Sequence, residues 1–516
     1  MIRPQSGILR IFVVILCFFV FSGRFNSIAL AKAATTVPAP ASGSYNVRTY
    51  GALGNGKHLD SPAINRAILA AATNGGGTVE IPAGIYLCGS IHLKSNINLH
   101  LDSGATILGA PQSMHAYDPP EPFHGTAYQD GGHTYFHNSL IWGVGLHNVA
   151  ITGMGTINGG GLIRWDKGVN HGPVNKGDKA IALELCTNVL LRGVTIFHGG
   201  HFGILATGCD LLTLNNLTID TNRDGVDIDA CRNVCVSNCR INSPRDDGLC
   251  LKSTDAFHQI RPTENVVITN CELSGFKEGT LLNGKMLPSK GEYGRIKLGT
   301  ESDGGFKNIT ISNCTFRDCM GLAIEEVDGG VLENITISNI AMYNVKVCPI
   351  YIALGDRNRA PPPVRTGHIK HILISNIMAT NIDATSGIQI AGLPGHDIRD
   401  VRLSNIRLIF KGGGTRKQAR RIPPELGTKY PGPRHIGVMP AYGVFIRHAR
   451  HIELSNVKVS FQKTDLRPAI VCQDVDGLRI NRFQAKLAKG VVPASFKQVK
   501  NLNIHDSPVL RGAAGN

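Results

Sequence analysis

The chain has 516 residues, 60 of them glycine, with aromatic residues at only 6%. That length exceeds the usual size of one compact core, and the scarcity of long helix-forming stretches excludes a helical bundle, as the absence of a strict Gly repeat excludes a collagen-like chain. Lys and Arg number 53 against 38 Asp and Glu, a net charge of +15, and so large a surplus of one sign speaks about partners rather than fold: the expected partner is a polyanion.

In chain order, residues 1–31 read as a secretory signal peptide. Arg3 and Arg10 precede the apolar run 11–21, and Ala29-Leu30-Ala31 forms a small-residue cleavage site. The run is short for a bilayer span, and no later stretch reaches about 18 uninterrupted apolar residues. A secreted or periplasmic protein without stable membrane insertion is therefore expected. Residues 32–45 read as a linker, 46–510 as a single domain and 511–516 as a tail. Ser61-Pro62, then Ala63, Ile64, Ala67, Ile68, Ala71 and Ala72, ending at Asn74-Gly75, reads as a capped amphipathic helix with Pro in its first turn.

From about residue 188 one phrase recurs: apolar, any, apolar, Ser or Thr, Asn, apolar, any, apolar. Val234 to Ile241, Val266 to Leu273, Ile309 to Phe316, Ile335 to Met342, Ile372 to Ala379, Val401 to Leu408 and Ile452 to Val459 all carry it or a close variant. Each copy is two short period-2 strands separated by an Asn, which tolerates a left-handed bend. The bends fall at Asn216, Asn238, Asn270, Asn313, Asn339, Asn376, Asn405 and Asn456. Their closest spacing, 22 residues, suits one coil of three short strands, with longer spacings made by loop insertions. The fold class is thus all-β, a parallel β-helix, and the helix at 61–73 is its N-terminal cap. Cys239, Cys271 and Cys314 take the inward position filled later by Ile340, Ile377, Ile406 and Val457, so they read as stacked core residues rather than metal ligands. The Asn-x-Thr strings at Asn216, Asn308 and Asn334 belong to the same repeat, which makes glycosylation a weak reading.

A second phrase runs in register with the first and contains Asp224-Gly-Val-Asp-Ile-Asp229 and Asp247-Gly-Leu-Cys-Leu-Lys252. Asp224 and Asp247 are one coil apart and should stack at about the 4.8 Å inter-strand spacing. Asp246 joins them only if it sits at a bend, which the Pro244 and Gly248 flanks permit. Three crowded carboxylates repel one another, and the crowding raises one pKa while leaving the others low. Glycosidic cleavage needs that split, one acid protonated and one ionised. Solvated turn aspartates or a calcium site are the competing readings.

Asn222-Arg223-Asp224-Gly with Asp246-Asp247-Gly one coil on resembles the two acidic motifs of glycoside hydrolase family 28, the polygalacturonases. The opening Asn46 to Gly56 and Gly76 to Gly84 is similar to the start of many pectin-lyase-like enzymes. The resemblance implies a right-handed parallel β-helix and inverting single-displacement hydrolysis of a uronate-containing pectic polysaccharide, with no cofactor and no metal. It assigns Asp246 as general acid and gives Asp224 and Asp247 the attacking water. It implies substrate binding by Asn222, Arg295 and Lys297, the last two copying the family's Arg-Ile-Lys clamp. Arg223 replaces the usual Thr, and the expected Gly-His-Gly is missing. Its nearest phrase is Gly275 to Gly279, where Glu278 is expected above Asp247 as a further substrate contact. By coil count the clamp position falls instead at 321–326, where Ala323 and Glu325 replace the basic pair. Such departures suggest a divergent member, either exo-acting or specific for a different uronate-containing chain such as rhamnogalacturonan. The basic excursion from Phe410 to Val438 is expected to wall one end of the cleft.

A polysaccharide lyase on the same scaffold and a non-catalytic carbohydrate-binding β-helix are the alternatives. No nucleic-acid-binding motif stands out, so the expected partner is acidic polysaccharide, met by a monomer.

Overall fold

The computed structural model describes residues 43–122, 131–164, 176–363, 365–385 and 387–512. The expected signal peptide, most of the linker and residues 513–516 lie outside them. From residue 139 to about residue 330 the chain winds through coils of three short strands, and beyond it the second and third strands of a coil run on as one, as in Val331–Tyr343 and His368–Ile382. Around the acidic motifs these are Asp224–Asp229, Arg232–Ser237 and Arg240–Asn242, then Leu249–Ser253, Thr263–Thr269 and Glu272–Ser274, then Ile296–Ser302, Gly305–Ser312 and Thr315–Arg317. Each strand pairs in parallel with its counterpart in the next coil. The protein is a right-handed parallel β-helix, as the repeat and the resemblance led one to expect.

The period-2 pattern explains the stack. In Arg232–Ser237, Val234 and Val236 turn inward while Cys235 faces solvent. Inward residues then form continuous columns: Leu212 lies beside Val234, then Val266, Ile309, Ile335 and Ile372, all at most 2% exposed. Each such side chain contributes about 1.5–3 kcal/mol of burial. Cys239, Cys271 and Cys314 are buried free thiols in the same core.

All eight predicted asparagine bends have positive φ, between 53° and 58°. Their side chains also bond from coil to coil: Asn339 Nδ2 donates to Asn313 Oδ1 at 3.1 Å, Asn376 to Asn339 at 3.0 Å, and Asn456 to Asn405 at 2.9 Å. The bend is thus fixed twice, by the backbone preference of Asn and by an amide ladder along the stack.

The cap helix spans Ser61–Thr73 and buries Ala63, Ile64, Ala67, Ile68 and Ala71. Its start differs in detail from the sequence reading. Ser61 is the first helical residue, and its hydroxyl accepts the Gly89 N–H from a neighbouring strand. Asp60 precedes it, but its carboxylate ties down the Leu53 and Gly54 amides instead of capping the helix.

Candidate active site

The first strands of successive coils form a sheet whose outer face carries the acidic motifs. Asp224 heads Asp224–Asp229, while Asp246 and Asp247 occupy the predicted bend before Leu249–Ser253. The Gly225 amide donates to Asp247 O at 3.0 Å, locking one coil to the next. A Cβ at Gly225 would meet Gly248 O at 2.5 Å, so only glycine lets the two coils approach here. The outcome is convergence: one carboxylate oxygen from each of Asp224, Asp246 and Asp247 lies within 4.8 Å of the others.

Three cations answer the three carboxylates. Arg223 Nη1 lies 2.8 Å from Asp224 and its Nε 3.4 Å from Asp246, so the residue replacing Thr bridges two of the acids. Its guanidinium also lies over the Phe202 ring at 5.3 Å. Arg295 Nε donates to Asp247 Oδ1 at 2.7 Å, and Lys297 Nζ lies 3.4 Å from Asp247 Oδ2. With charge balanced from within the chain, the cluster does not require a bound cation to hold three carboxylates together. Lys297 also donates to Thr300 Oγ1 at 2.9 Å and to the Tyr430 hydroxyl at 3.1 Å.

These surroundings separate the acids. Burial, reinforced by the Asp246 charge, pushes the Asp224 carboxyl up to about 8, although Arg223 and Lys252 pull the other way. Burial would raise Asp247 as well, but Arg295, Lys297 and Lys252 together outweigh it and hold that carboxyl well below the usual range. One acid therefore keeps its proton at neutral pH while its neighbour one coil away stays ionised. Asp246 is the most open of the three, its side chain 28% exposed against 5% and 3% for Asp224 and Asp247.

The other predicted site residues divide. Asn222 sits half-buried just ahead of Asp224. Arg295 and Lys297 join the cluster, one coil after Asp247, and both are nearly inaccessible and committed to it. Lys297 pairs directly with Ala323 in the following coil, and Glu325 lies buried 3.7 Å from Lys297. The coil count that put Ala323 and Glu325 one rung beyond Arg295 and Lys297 therefore holds.

Glu278 does not stand above Asp247. Gly248 and Leu249 donate to Arg295 O, so the next rung belongs to the strand that starts at Ile296. Residues 275–294 are an excursion from the end of Glu272–Ser274, and they carry Glu278 to His198, with His198 Nδ1 and Glu278 Oε1 3.0 Å apart. The periodic count failed because the phrase at 275–279 mimics a coil start within an insertion.

Sequence reasoning also missed a buried ionic network beside the triad. Asp227, buried and close enough to Asp224 to feel its charge, lies 3.6 Å from His133 and 3.9 Å from Lys252. Lys252 pairs with Glu301 at 2.8 Å, and Arg357 reaches both Glu301 and Asp328. Burial and the Asp224 charge push Asp227 well above its usual range. The signal was present in Asp-Ile-Asp229 and Lys252, because residues two apart share a strand face.

Two walls flank the acids along the stack. On one side Phe136 packs with Ala182, Phe202 and Leu205. On the other, the excursion 411–440 lays Ile436 and Met439 over Ala323, Tyr351, Ala391 and Phe445, with the Tyr351 hydroxyl bonded to Pro431 O. The expected wall at one end is present. Part of its basic charge is internal to the structure: Arg421 donates to Ile436 O and Val438 O, Lys411 pairs with Asp383, and Arg434 with Glu292.

A family model for glycosyl hydrolases family 28 matches residues 77–428. Similar proteins include a probable polygalacturonase of Vitis vinifera, 24% identical over 397 residues that cover 72% of this chain and 75% of that one. Another is an exo-poly-alpha-D-galacturonosidase of Dickeya chrysanthemi, 26% identical over 365 residues, covering 60% of this chain and 57% of its own. Among solved structures, a hyperthermoactive exopolygalacturonase from Thermotoga maritima has a TM-score of 0.61 at 20% identity, covering 81% of this chain and 91% of that one. The family 28 exopolygalacturonase of Yersinia enterocolitica has a TM-score of 0.60 at 19% identity, covering 89% and 78%. At these identities the structural likeness speaks to the fold.

Proposed function

Because this chain belongs to glycosyl hydrolases family 28 and is a glycoside hydrolase, we propose that it cleaves α-glycosidic bonds of a uronate-containing pectic polysaccharide, acting from a chain end. The observation that carries the reading is the triad itself, in which Asp224 is pushed up to about 8 while Asp247 is held ionised. Asp247 accepts a proton from the attacking water. Asp246, the most exposed of the three, meets the leaving oxygen as general acid. Asp224, which keeps its proton at neutral pH, has a carboxylate oxygen within 4.8 Å of one of Asp246 and is placed to supply the proton that Asp246 delivers. Arg295 and Lys297 act chiefly by keeping Asp247 charged, and reach a substrate carboxylate only by sharing it with Asp247.

Chain-end action is supported by the two walls, which leave the acids between packed apolar clusters instead of along an open groove. The relatives named as exo-acting favour the same reading. The deciding experiment incubates the protein with polygalacturonate, rhamnogalacturonan and their short oligosaccharides and follows product length. Release of single sugars fits the proposal, a ladder of oligomers overturns exo action, and no cleavage of any uronate polymer overturns the substrate.

The resemblance implies inversion, which proton NMR of the first-formed anomer tests.

Export and the monomeric state belong to the same proposal. Protein recovered outside the cytoplasm should begin at Lys32, and light scattering should give a single-chain mass.

A further inference from the structure

A second cavity lies on the same sheet face, outside the Phe136 wall. It encloses about 350 Å³ and is lined by His92, Lys94, Asp118, His137 and Trp142, with apolar neighbours. Strand register fixes its position. Trp142 is beside Ala182, then Leu205, then Asp227, three rungs or roughly 14 Å along the stack from the Asp227 rung. Phe136, Ala182, Phe202 and Leu205 pack into the space between, so the cavity is separate from the acidic centre.

Its side chains are held in place before any ligand arrives. Trp142 Nε1 donates to Asp118 Oδ2 at 2.8 Å, and His92 Nε2 lies 2.7 Å from the same oxygen. The His137 ring stacks on Trp142 with centroids 4.0 Å apart, and the His92 ring leans on it at 5.0 Å. Burial would raise Asp118, but these bonds outweigh it and keep the carboxylate below its usual range. Both contacts fall on Oδ2, which leaves Oδ1 to accept a hydroxyl. Lys94 is exposed, and among the described residues it forms no ion pair.

A corner of three rings, a fixed acceptor and an uncommitted ammonium matches one ligand chemistry. Ring faces and edges favour the C–H faces of a pyranose, Asp118 its hydroxyls, and Lys94 a carboxylate. We propose that this cavity is a second sugar-binding site, which holds a uronate residue of the same polysaccharide chain remote from the bond being cleaved. The identity of the sugar rests on the function proposed above, whereas the existence of the site rests on the cavity alone. Such an anchor raises the effective concentration of chain ends at the acids.

The chain has two tryptophans, so Trp165→Phe leaves Trp142 as sole reporter. In that background, with Asp246→Asn to block turnover, trigalacturonate should change Trp142 fluorescence saturably. Lys94→Ala, which removes an exposed side chain without disturbing the fold, should weaken that binding about tenfold, the size of one lost charge-assisted contact. No saturable change overturns the site, and an equal response to a neutral trisaccharide overturns its chemistry. Hydrolysis of trigalacturonate by the unmodified protein is scored separately. Cleavage without a fluorescence response removes only this site, and a response without cleavage supports the site while removing the proposed substrate of the acidic centre.

Discussion

Arg295 and Asp247 form a buried pair, Nε to Oδ1 at 2.7 Å, with both side chains 3% exposed. The Arg belongs to the coil after the Asp, so a contact between rungs sets the charge of a carboxylate in the acidic centre. Replacing Arg295 by Met should cost about 3–5 kcal/mol of stability, the usual result of stranding one partner of a buried pair. Denaturant midpoints measure it. Asp247 has a depressed pKa, so its stabilisation is complete above the unfolded value of about 3.9 and is lost as pH falls through the lower folded value. In Arg295→Met the folded value rises toward the unfolded one, so the loss should be smaller and be complete at a higher pH, and the acid limb of kcat/KM should move up with the folded value.

Asp224 titrates the other way. Its folded carboxyl is pushed up to about 8, so the folded state binds more protons than the unfolded one between about pH 3.9 and 8, and stability falls across that window. Asp224→Asn should flatten this slope, read as unfolding free energy against pH.

Arg223 pulls Asp224 downward. Arg223→Thr, which restores the residue usual in the family motif, should therefore raise Asp224 further and shift the alkaline limb of kcat/KM to higher pH. An unmoved or lowered limb would mean that Asp224 does not hold the catalytic proton.

Asp246→Asn should reduce kcat by about 10²–10⁴, the range for a lost general acid, with an unchanged melting transition. Activity of the unmodified protein should survive chelator, and its products should lack the ultraviolet-absorbing double bond left by a lyase.

Tyr430 joins the distant excursion to Lys297 and Thr300 through its hydroxyl, at 3.1 and 3.0 Å. Tyr430→Phe should lower kcat/KM by about tenfold, in line with one lost hydrogen bond to a charged group.

The repeat made most of the fold readable. The asparagine bends and inward apolar positions are local properties, and each recurs often enough to reveal its period. The triad was readable because Asp224 and Asp247 differ by one coil and Pro244 and Gly248 flank the bend that turns Asp246. Glu278 misled because period alone does not distinguish a coil start from an insertion that imitates one. The Tyr430 contact with Lys297 spans 133 positions, and the Lys252–Glu301 pair 49. Such meetings depend on how excursions fold back over the sheet, about which short-range pattern is silent.

Consecutive asparagines in the amide ladder are separated by anything from 26 to 51 residues, yet each still meets the one beneath it. Because every rung carries its own bend and its own inward side chains, segments of very different length can be spliced between rungs while the rungs above and below stay aligned. Natural variation can thus redraw the borders of the cleft, and with them the preferred polymer, without disturbing the acids at its floor.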